Sequence, residues 1–236
     1  VCYWDGRAEL LAPAVPWQHV RLIGEDLAEQ ELILPEDAPV TPAAVAALLA
    51  AGVEEVDVLR KPKIAVLPTG DELVDTQKKL APGKILDVNS HMLCAAARQC
   101  GAEALRLPIT PDDENALHTA VRQALSVSDL VIVNAGTSAG TKDYTWSVLK
   151  ALGRVLAHGI ATKPGKPVIL AIVDGKPVVG LPGYPGSAQL TFDWFVRPLL
   201  YARQHRPEPA ATLLCGRLAK ALASEVGAEE FIRVVI

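Results

Sequence analysis

Long apolar runs alternate with helix-like segments through the middle of the chain. The largely apolar segments 63–70 and 129–136 predict buried strands, and 102–109 predicts a further strand between them. The segments between them, 90–101 and 110–125, carry helix-capping residues at their ends and predict helices. Strands separated by amphipathic helices predict an α/β fold, with a mostly parallel sheet and helices on both faces.

The same pattern predicts a hairpin, a helix, a short strand and one helix cap. "PVILAIV" and "KPVVGLP" predict a hairpin, because the Asp174-Gly175 pair between them is a typical hairpin turn. A helix is expected at about 186–203, and "EEVDVL" (54–59) is expected to form a short strand. Ser90 is expected to cap the helix that follows it.

Changes in composition divide the chain into three predicted regions. Residues 1–60 are punctuated by proline and are interpreted as a partial N-terminal or linker segment that carries a "GED" motif. Residues 61–203 hold the α/β pattern. Residues 204–236 open on a polar, proline-rich linker and continue with strand-like residues, which predicts the start of a C-terminal β domain.

Composition and charge narrow the class of protein. Half of the 236 residues are hydrophobic, which is enough for a substantial core. The net charge of −4 and the lack of a basic stripe argue against nucleic-acid binding. The apolar runs are far too short to span a bilayer, and no secretory leader is recognised. The four cysteines lack metal or disulfide spacing, so we expect reduced thiols in a cytoplasmic protein.

Candidate chemistry follows the predicted strands. In an open parallel sheet, ligands bind beyond the carboxyl ends of the strands. The segments at those ends are rich in glycine, hydroxyls and carboxylates, and they are "TGDE" (69–72), "PITPDD" (108–113), "NAGTSAGTKD" (134–143) and "LPGYPGS" (181–187). The glycine-rich "AGTSAG" precedes a predicted helix and suits phosphate, although a structural turn is an equally good interpretation.

Several carboxylates fall in these loops, namely Asp71, Glu72, Asp112, Asp113 and Asp143. Acids in the first turn of a helix are favoured whatever the function, which is an alternative explanation for Asp112, Asp113 and Asp143. Asp71 and Glu72 directly follow a buried strand, where loop residues more often do chemistry. Carboxylates beside a phosphate loop would imply a divalent cation such as Mg²⁺.

A short loop, "ATKPGKPVI" (161–169), places Lys163 and Lys166 three residues apart among prolines and a glycine. Ordering a lysine side chain costs conformational entropy, so a rigid mount for two of them suggests an anionic ligand. The alternative is a surface turn with solvated lysines.

Six motifs taken together resemble those of molybdopterin molybdenumtransferases, the MoeA-like enzymes related to the gephyrin E domain. They occur in the order of that family and are "LPTGDELV", "DVNSHML", "PDDENAL", "DLVIVNAGTSAGTKDYT", "IATKPGKPV" and "GLPGYPGSA". The upstream "RLIGEDLAEQELIL" is also similar to the family. The resemblance covers about residues 18–203 and implies a molybdopterin-binding three-layer α/β domain.

The resemblance implies the last step of molybdenum cofactor assembly. Molybdate, or alternatively tungstate, would be inserted into adenylylated molybdopterin, with Mg²⁺-dependent release of AMP. It implies a homodimer with the active site between subunits, and a molybdopterin adenylyltransferase as a possible partner. Two other functions stay open: a molybdopterin-binding protein with impaired catalysis, and an adenylyltransferase relative.

The family's functional positions map onto this chain through the motifs. The resemblance implies catalytic acids at Asp26, Glu72, Asp112 and Asp143, of which the last three would hold the metal. It implies oxyanion or substrate contacts at Lys163, Lys166, Pro167 and Ser187. It implies a pterin-nucleotide cradle at Thr69, Gly70, Asp71, Ser90, Gly136, Ser138 and Gly140. Two positions depart from the family pattern: Ala135 replaces a glycine, and Tyr184 replaces an asparagine.

Overall fold

The computed structural model describes residues 1–75, 80–135, 144–224 and 226–235. The chain divides into two compact units, Val1–Val58 and Leu59–Ile236. The first unit contains a hairpin of β1 (Cys2–Trp4) and β2 (Arg7–Glu9), followed by helix α1 (Pro42–Ala50). The strand expected at 54–59 is wrong, because residues 53–62, all of them described, lie outside helices and strands.

The second unit contains the predicted α/β pattern. Its strands are β3 (Lys63–Thr69), β4 (Leu73–Val74), β5 (Ile85–Leu86), β6 (Glu103–Arg106), β7 (Leu130–Ala135), β8 (Arg154–His158), β9 (Thr162–Lys163), β10 (Ile169–Val173), β11 (Lys176–Leu181) and β12 (Glu229–Glu230). Its helices are α2 (Asn89–Gln99), α3 (Glu114–Val127), α4 (Tyr144–Leu152), α5 (Pro185–Thr191) and α6 (Arg197–Ala202). A π-helical turn, Phe192–Val196, joins α5 to α6.

Six of these strands form one sheet in the order β6-β3-β7-β11-β10-β8. β10 alone runs against its neighbours β11 and β8, so the prediction of a mostly parallel α/β sheet is confirmed. The predicted hairpin is β10–β11, and its turn residues have φ angles of 49° at Asp174 and 74° at Gly175. These positive values fit a type I′ turn. The outer strand β8 was not predicted, because only alternate residues of it are partly buried.

The core consists of two apolar layers, one on each face of the sheet. Ile64 and Val66 of β3 pack with α2, α5 and α6 on one face. Ala65 and Leu67 of the same strand pack with α3 and α4 on the other. Alternate residues of a strand point to opposite faces, so both sets are buried only if helices cover both faces.

Two helices begin at residues other than those expected. Helix α2 begins at Asn89 with Val88 as its N-cap residue, so the cap expected at Ser90 is wrong. The Ser90 backbone N–H instead donates to Oδ1 of Asp87 at 3.1 Å. Helix α3 begins after Asp113, whose Oδ1 accepts from the Ala116 N–H at 2.8 Å. The expected start at Thr110 is wrong because that residue is held extended in a β-bridge.

An ion pair fastens the amino ends of β3 and β7. The Arg60 guanidinium donates to both carboxylate oxygens of Asp129, at 2.7 and 2.6 Å, and the Lys63 N–H donates to the same carboxylate at 2.8 Å. The bond from Arg60 is the main reason that the pKa of Asp129 falls to about 2. A group with a lowered pKa stabilises the folded state above its ordinary pKa.

We therefore expect Asp129→Asn to lower the free energy of unfolding at pH 7 by about 1 kcal/mol, since exposure of Arg60 to solvent screens the pair. The difference from wild type should shrink as the pH falls from about 4 towards 2, because the unfolded carboxylate protonates first. Urea unfolding at a series of pH values measures this, with exposed Glu208→Gln as control. A difference that does not change with pH would rule out the ion pair as its source.

Candidate active site

Four loops leave the same edge of the large sheet. In the parallel register, Thr69 of β3 pairs with Ala135 of β7, and Asn134 of β7 pairs with Leu181 of β11. A bridge between Thr69 and Thr110 brings the loop after β6 to the same place. The carboxyl ends of β6, β3, β7 and β11 therefore lie side by side, as the rule for ligand sites in open sheets requires.

Three hydrogen bonds join the two loops that carry the candidate acids. The Gly70 N–H donates to the Thr110 carbonyl at 3.1 Å. The Thr69 hydroxyl donates to Oδ1 of Asp112 at 3.1 Å, and the Asp112 N–H donates to Oδ1 of Asp71 at 3.2 Å. The Asp71 carboxylate is thus held against the backbone of Asp112 although 41 residues separate the two along the chain.

Glu72 lies beside this pair. Gly70 has a φ of +148°, and a Cβ there would stand 2.6 Å from Oε2 of Glu72, so the glycine leaves room for that carboxylate. Among the described residues, no group of three or more His, Cys, Asp or Glu side chains is placed to hold a metal ion. Asp143, the third predicted ligand, lies outside them. Mg²⁺ commonly takes one or two carboxylates together with substrate phosphates, so a role for Glu72 and Asp112 as its ligands stays a prediction.

Ser90 lies in a buried polar network. Its hydroxyl donates to the Asp87 carboxylate and accepts from Nε of Arg106 at 2.7 Å. Arg106 also pairs with Asp87 at 2.7 Å and with Asp75 at 3.1 Å. The serine therefore ties helix α2 to Arg106 of β6, and Arg106 in turn reaches Asp75 after β4. A contact of Ser90 with a pterin nucleotide stays a prediction.

The lysine loop connects β8 to β10 and lies at the same edge of the sheet. The Ile160 N–H donates to the Lys166 carbonyl at 2.9 Å and closes the loop. Gly165 is buried with a φ of +110°, and a Cβ there would stand 2.7 Å from Cγ2 of Thr191. The loop therefore packs closely on α5, and only glycine fits at position 165. Lys163 and Lys166 are exposed on it.

A segment near the C-terminus pairs with this loop. Strand β12 runs parallel to β9, with N–H bonds of 2.8 Å from Glu229 to Ala161 and from Phe231 to Lys163. The Phe231 ring packs on Trp194 with centroids 4.3 Å apart. The tail thus belongs to the same compact unit as the lysine loop.

Two charged residues of that tail reach the candidate site, and the sequence did not indicate either. Oε1 of Glu230 lies 3.3 Å from Nζ of Lys163. A guanidinium nitrogen of Arg233 lies against Gly186, 3.7 Å from where a Cβ would stand. Pairing of β12 with β9 joins segments 67 positions apart, which no local pattern reveals.

Two buried amides position the loop after β11 and were also missed. The side-chain amide of Asn89 donates to the Gly183 carbonyl at 2.6 Å, and that of Asn134 donates to the Pro182 carbonyl at 2.9 Å. Oδ1 of Asn89 is buried and accepts no hydrogen bond from any described residue. For Asn134, the signal available in the sequence was its position near the end of the buried strand "LVIVNA".

The candidate acids and the lysines lie at opposite ends of this edge. The acids follow β6 and β3, whereas the lysine loop precedes β10, three strands from β3. At the usual spacing of neighbouring strands, that separation is about 14 Å. The carboxyl ends of β7 and β11 lie between the two ends.

Comparison with known protein families identifies the family of this chain. Residues 65–202 match the family described as "Probable molybdopterin binding domain". The chain belongs to this family. The match runs from β3 to α6 and includes the described loops at the carboxyl edge of the large sheet.

Curated relatives and a solved structure confirm the resemblance to the MoeA-like branch. A molybdopterin molybdenumtransferase of Haemophilus influenzae is 38% identical over 83% of this chain and 48% of its own. Molybdopterin molybdenumtransferase 2 of Mycobacterium tuberculosis is 34% identical over 98% of this chain and 60% of its own. A crystal structure of the MoeA protein from Pyrococcus horikosii superposes with a TM-score of 0.70 at 39% identity, over 78% of this chain and 46% of that one. The chain spans about half the length of these relatives.

The remaining positions implied by the MoeA-like resemblance fall in three places. Ser187 is buried in the first turn of α5, and Tyr184 before it is 68% exposed at the rim. Asp26 lies in the first unit, in an exposed ion pair of 3.1 Å with Arg21. Gly136, Ser138, Gly140 and Asp143 lie outside the described residues. Roles for all of these residues stay predictions.

Gly165 of the lysine loop gives a testable prediction about this molybdopterin-binding domain. Gly165→Ala should cost more stability than Gly175→Ala, because a Cβ at 175 meets no atom within 4 Å. We expect about 1 kcal/mol for Gly175→Ala, from its positive φ alone. Gly165→Ala should cost roughly 1–3 kcal/mol beyond that, from the added clash with Thr191. Urea unfolding measures both, and equal losses would mean that the loop tolerates the added methyl group.

Proposed function

We propose that this chain inserts molybdate into adenylylated molybdopterin, with Mg²⁺-dependent release of AMP. One observation carries the proposal: cationic and acidic loops occupy opposite ends of one sheet edge, about 14 Å apart by strand spacing. A nucleotide-linked pterin is elongated and carries a pyrophosphate link, and molybdate is a second, separate anion. The edge therefore supplies one end for the oxyanion and another for the phosphates.

The lysine end is suited to molybdate, a tetrahedral dianion. Lys163 and Lys166 present compact ammonium groups on a closed loop. The hydroxyl of Ser187 comes from the first turn of α5, and the guanidinium of Arg233 comes from the tail. Charge-assisted hydrogen bonds of these kinds are the strong ones toward oxyanions. Pro167, next to Lys166, is the remaining position that the resemblance implies for this end.

The acidic end is suited to the pyrophosphate link. Glu72 and Asp112 would hold Mg²⁺ together with Asp143, which lies outside the described residues. The bound ion would neutralise charge on the phosphoanhydride as it is cleaved. The chain's own part is positioning: Thr69 and Asp71 hold Asp112 in place, and Gly70 admits Glu72.

Partners and location belong to the same proposal. A homodimer would complete the site, and Asp26 would serve as a further acid there. A molybdopterin adenylyltransferase would supply the adenylylated pterin. No described helix is both long and apolar enough to cross a bilayer.

Tyr184 favours a second candidate function, in which the protein binds molybdopterin but no longer cleaves its adenylylated form. The exposed ring stands at the rim where the family pattern has asparagine. Tight pterin binding without AMP release would support this candidate. Gain of AMP release in Tyr184→Asn would then assign the loss to this position.

The proposed reaction predicts release of AMP. The full-length protein, incubated with adenylylated molybdopterin, Mg²⁺ and molybdate, should release AMP, and Glu72→Gln should slow that release about 100-fold by removing a metal-holding charge. Chromatography of the nucleotides measures the rate. Glu103→Gln, at the opposite edge of the sheet, is the control and should match wild type. Wild-type protein that releases no AMP beside a working MoeA enzyme would refute the proposed reaction.

The lysine end gives a separate prediction. Lys166→Ala should weaken molybdate binding about tenfold, because one charge-assisted contact is lost. Its effect on stability should be small, since the side chain is exposed. Titration calorimetry measures the dissociation constant, with Lys61→Ala at the opposite edge as control. Unchanged affinity in Lys166→Ala would remove this lysine from the oxyanion site.

A further inference from the structure

A carboxylate lies against the proposed oxyanion site. Oε1 of Glu230 is 3.3 Å from Nζ of Lys163, on the loop proposed to bind a dianion. An anion that contacts the Lys163 ammonium would therefore also lie near a negative charge. A site built only for tight anion binding would not contain such a group.

The position of Glu230 is set by its backbone and neighbours. The backbone N–H groups on both sides of Glu230, those of Glu229 and Phe231, donate to the Ala161 and Lys163 carbonyls, and the Phe231 ring packs on Trp194. The Glu230 side chain is only 11% exposed, whereas that of Lys163 is 57% exposed. The carboxylate is thus held in place and partly shielded from water, while the ammonium group can reach a ligand.

We propose that Glu230 is a specificity-determining residue of the oxyanion site, whose charge weakens anion binding and weakens it more for dianions than for monoanions. The inference rests on the proposed function, because it assumes that Lys163 contacts the oxyanion. Coulomb energy is proportional to the charge of the anion, so a dianion feels twice the repulsion of a monoanion at the same position. If the charge of Glu230 causes the effect, its removal should change the binding free energy of the dianion twice as much as that of the monoanion.

This repulsion would serve the proposed reaction. Molybdate must leave the lysines to reach the pterin, and a site that held it too tightly would slow the transfer without helping the chemistry. A fixed carboxylate lowers the affinity for the bound anion while the lysines still recognise it. Glu230 would act through electrostatics and would not touch the reacting atoms.

A structural role makes a different prediction. If Glu230 only held Lys163 in place, its removal would loosen the ammonium group and weaken the binding of every anion by a similar factor. The backbone of Lys163 is already fixed by β12 through the N–H of Phe231, which the mutation leaves in place. We therefore expect the electrostatic effect to exceed the loss of side-chain order.

The test compares molybdate, a tetrahedral dianion, with perrhenate, a tetrahedral monoanion of similar size. In the full-length protein at low salt, Glu230→Gln should bind molybdate about tenfold more tightly and perrhenate about threefold more tightly than wild type does. Both gains should shrink at high salt. Glu229→Gln is the matched control: it removes a charge from the adjacent, exposed residue of the same strand and should change both affinities little. Calorimetric titration measures the affinities, and thermal unfolding checks that each variant is folded.

The outcomes separate this inference from the proposed function. Equal affinities in wild type and Glu230→Gln, or a similar loss for both anions, would overturn the inference even if the protein releases AMP. A charge-graded gain in a protein that releases no AMP would support the inference and refute the proposed reaction. If neither anion binds to any of the variants, the oxyanion site itself is absent and the inference falls with it.

Discussion

The parallel register of β3, β7 and β11 is the constraint on which the candidate site depends. These buried strands must align for their apolar residues to fill the layers on both faces of the sheet. A slip of one residue would turn each side chain to the opposite face. The same alignment sets Thr69, Ala135 and Leu181 side by side. The energetics of the core therefore determine where the polar loops begin, and the chemistry of the site follows from packing.

Much of this could be predicted from the sequence. Apolar runs gave the buried strands, and the Asp174-Gly175 turn gave the β10–β11 hairpin, because both signals are local. From the parallel arrangement alone, the loops with Glu72 and Asp112 could be assigned to one edge. The lysine loop joins two strands that are antiparallel to each other, β8 and β10, and β8 was not predicted. The helix starts were missed, because α3 is capped by Asp113 and not at Thr110, and α2 begins after Val88, with the Ser90 N–H bound by Asp87.

What the sequence did not reveal depends on contacts between distant segments. Strand β8 has only a partly buried alternation, and β12 is two residues long, so neither carries a periodic signal. The approach of Glu230 to Lys163 follows from the pairing of β12 with β9, which local reasoning cannot detect. The amides of Asn89 and Asn134 point at backbone carbonyls of a loop about 50 or more residues away. Partners of this kind are visible only once the chain is folded.

The two ends of the sheet edge are built in different ways, and this difference suits their proposed tasks. At the acidic end, three hydrogen bonds join two loops that leave adjacent strands, so the carboxylates are fixed by the sheet itself. At the lysine end, a two-residue strand and one aromatic contact bring Glu230 and Arg233 to the loop. The acidic end is thus built from loops of neighbouring strands, whereas part of the lysine end comes from a segment 67 positions further along the chain. In the proposed function the first end would hold the metal and the pyrophosphate. The second would admit a small oxyanion, whose affinity then depends on the charges that this distant segment brings to the loop.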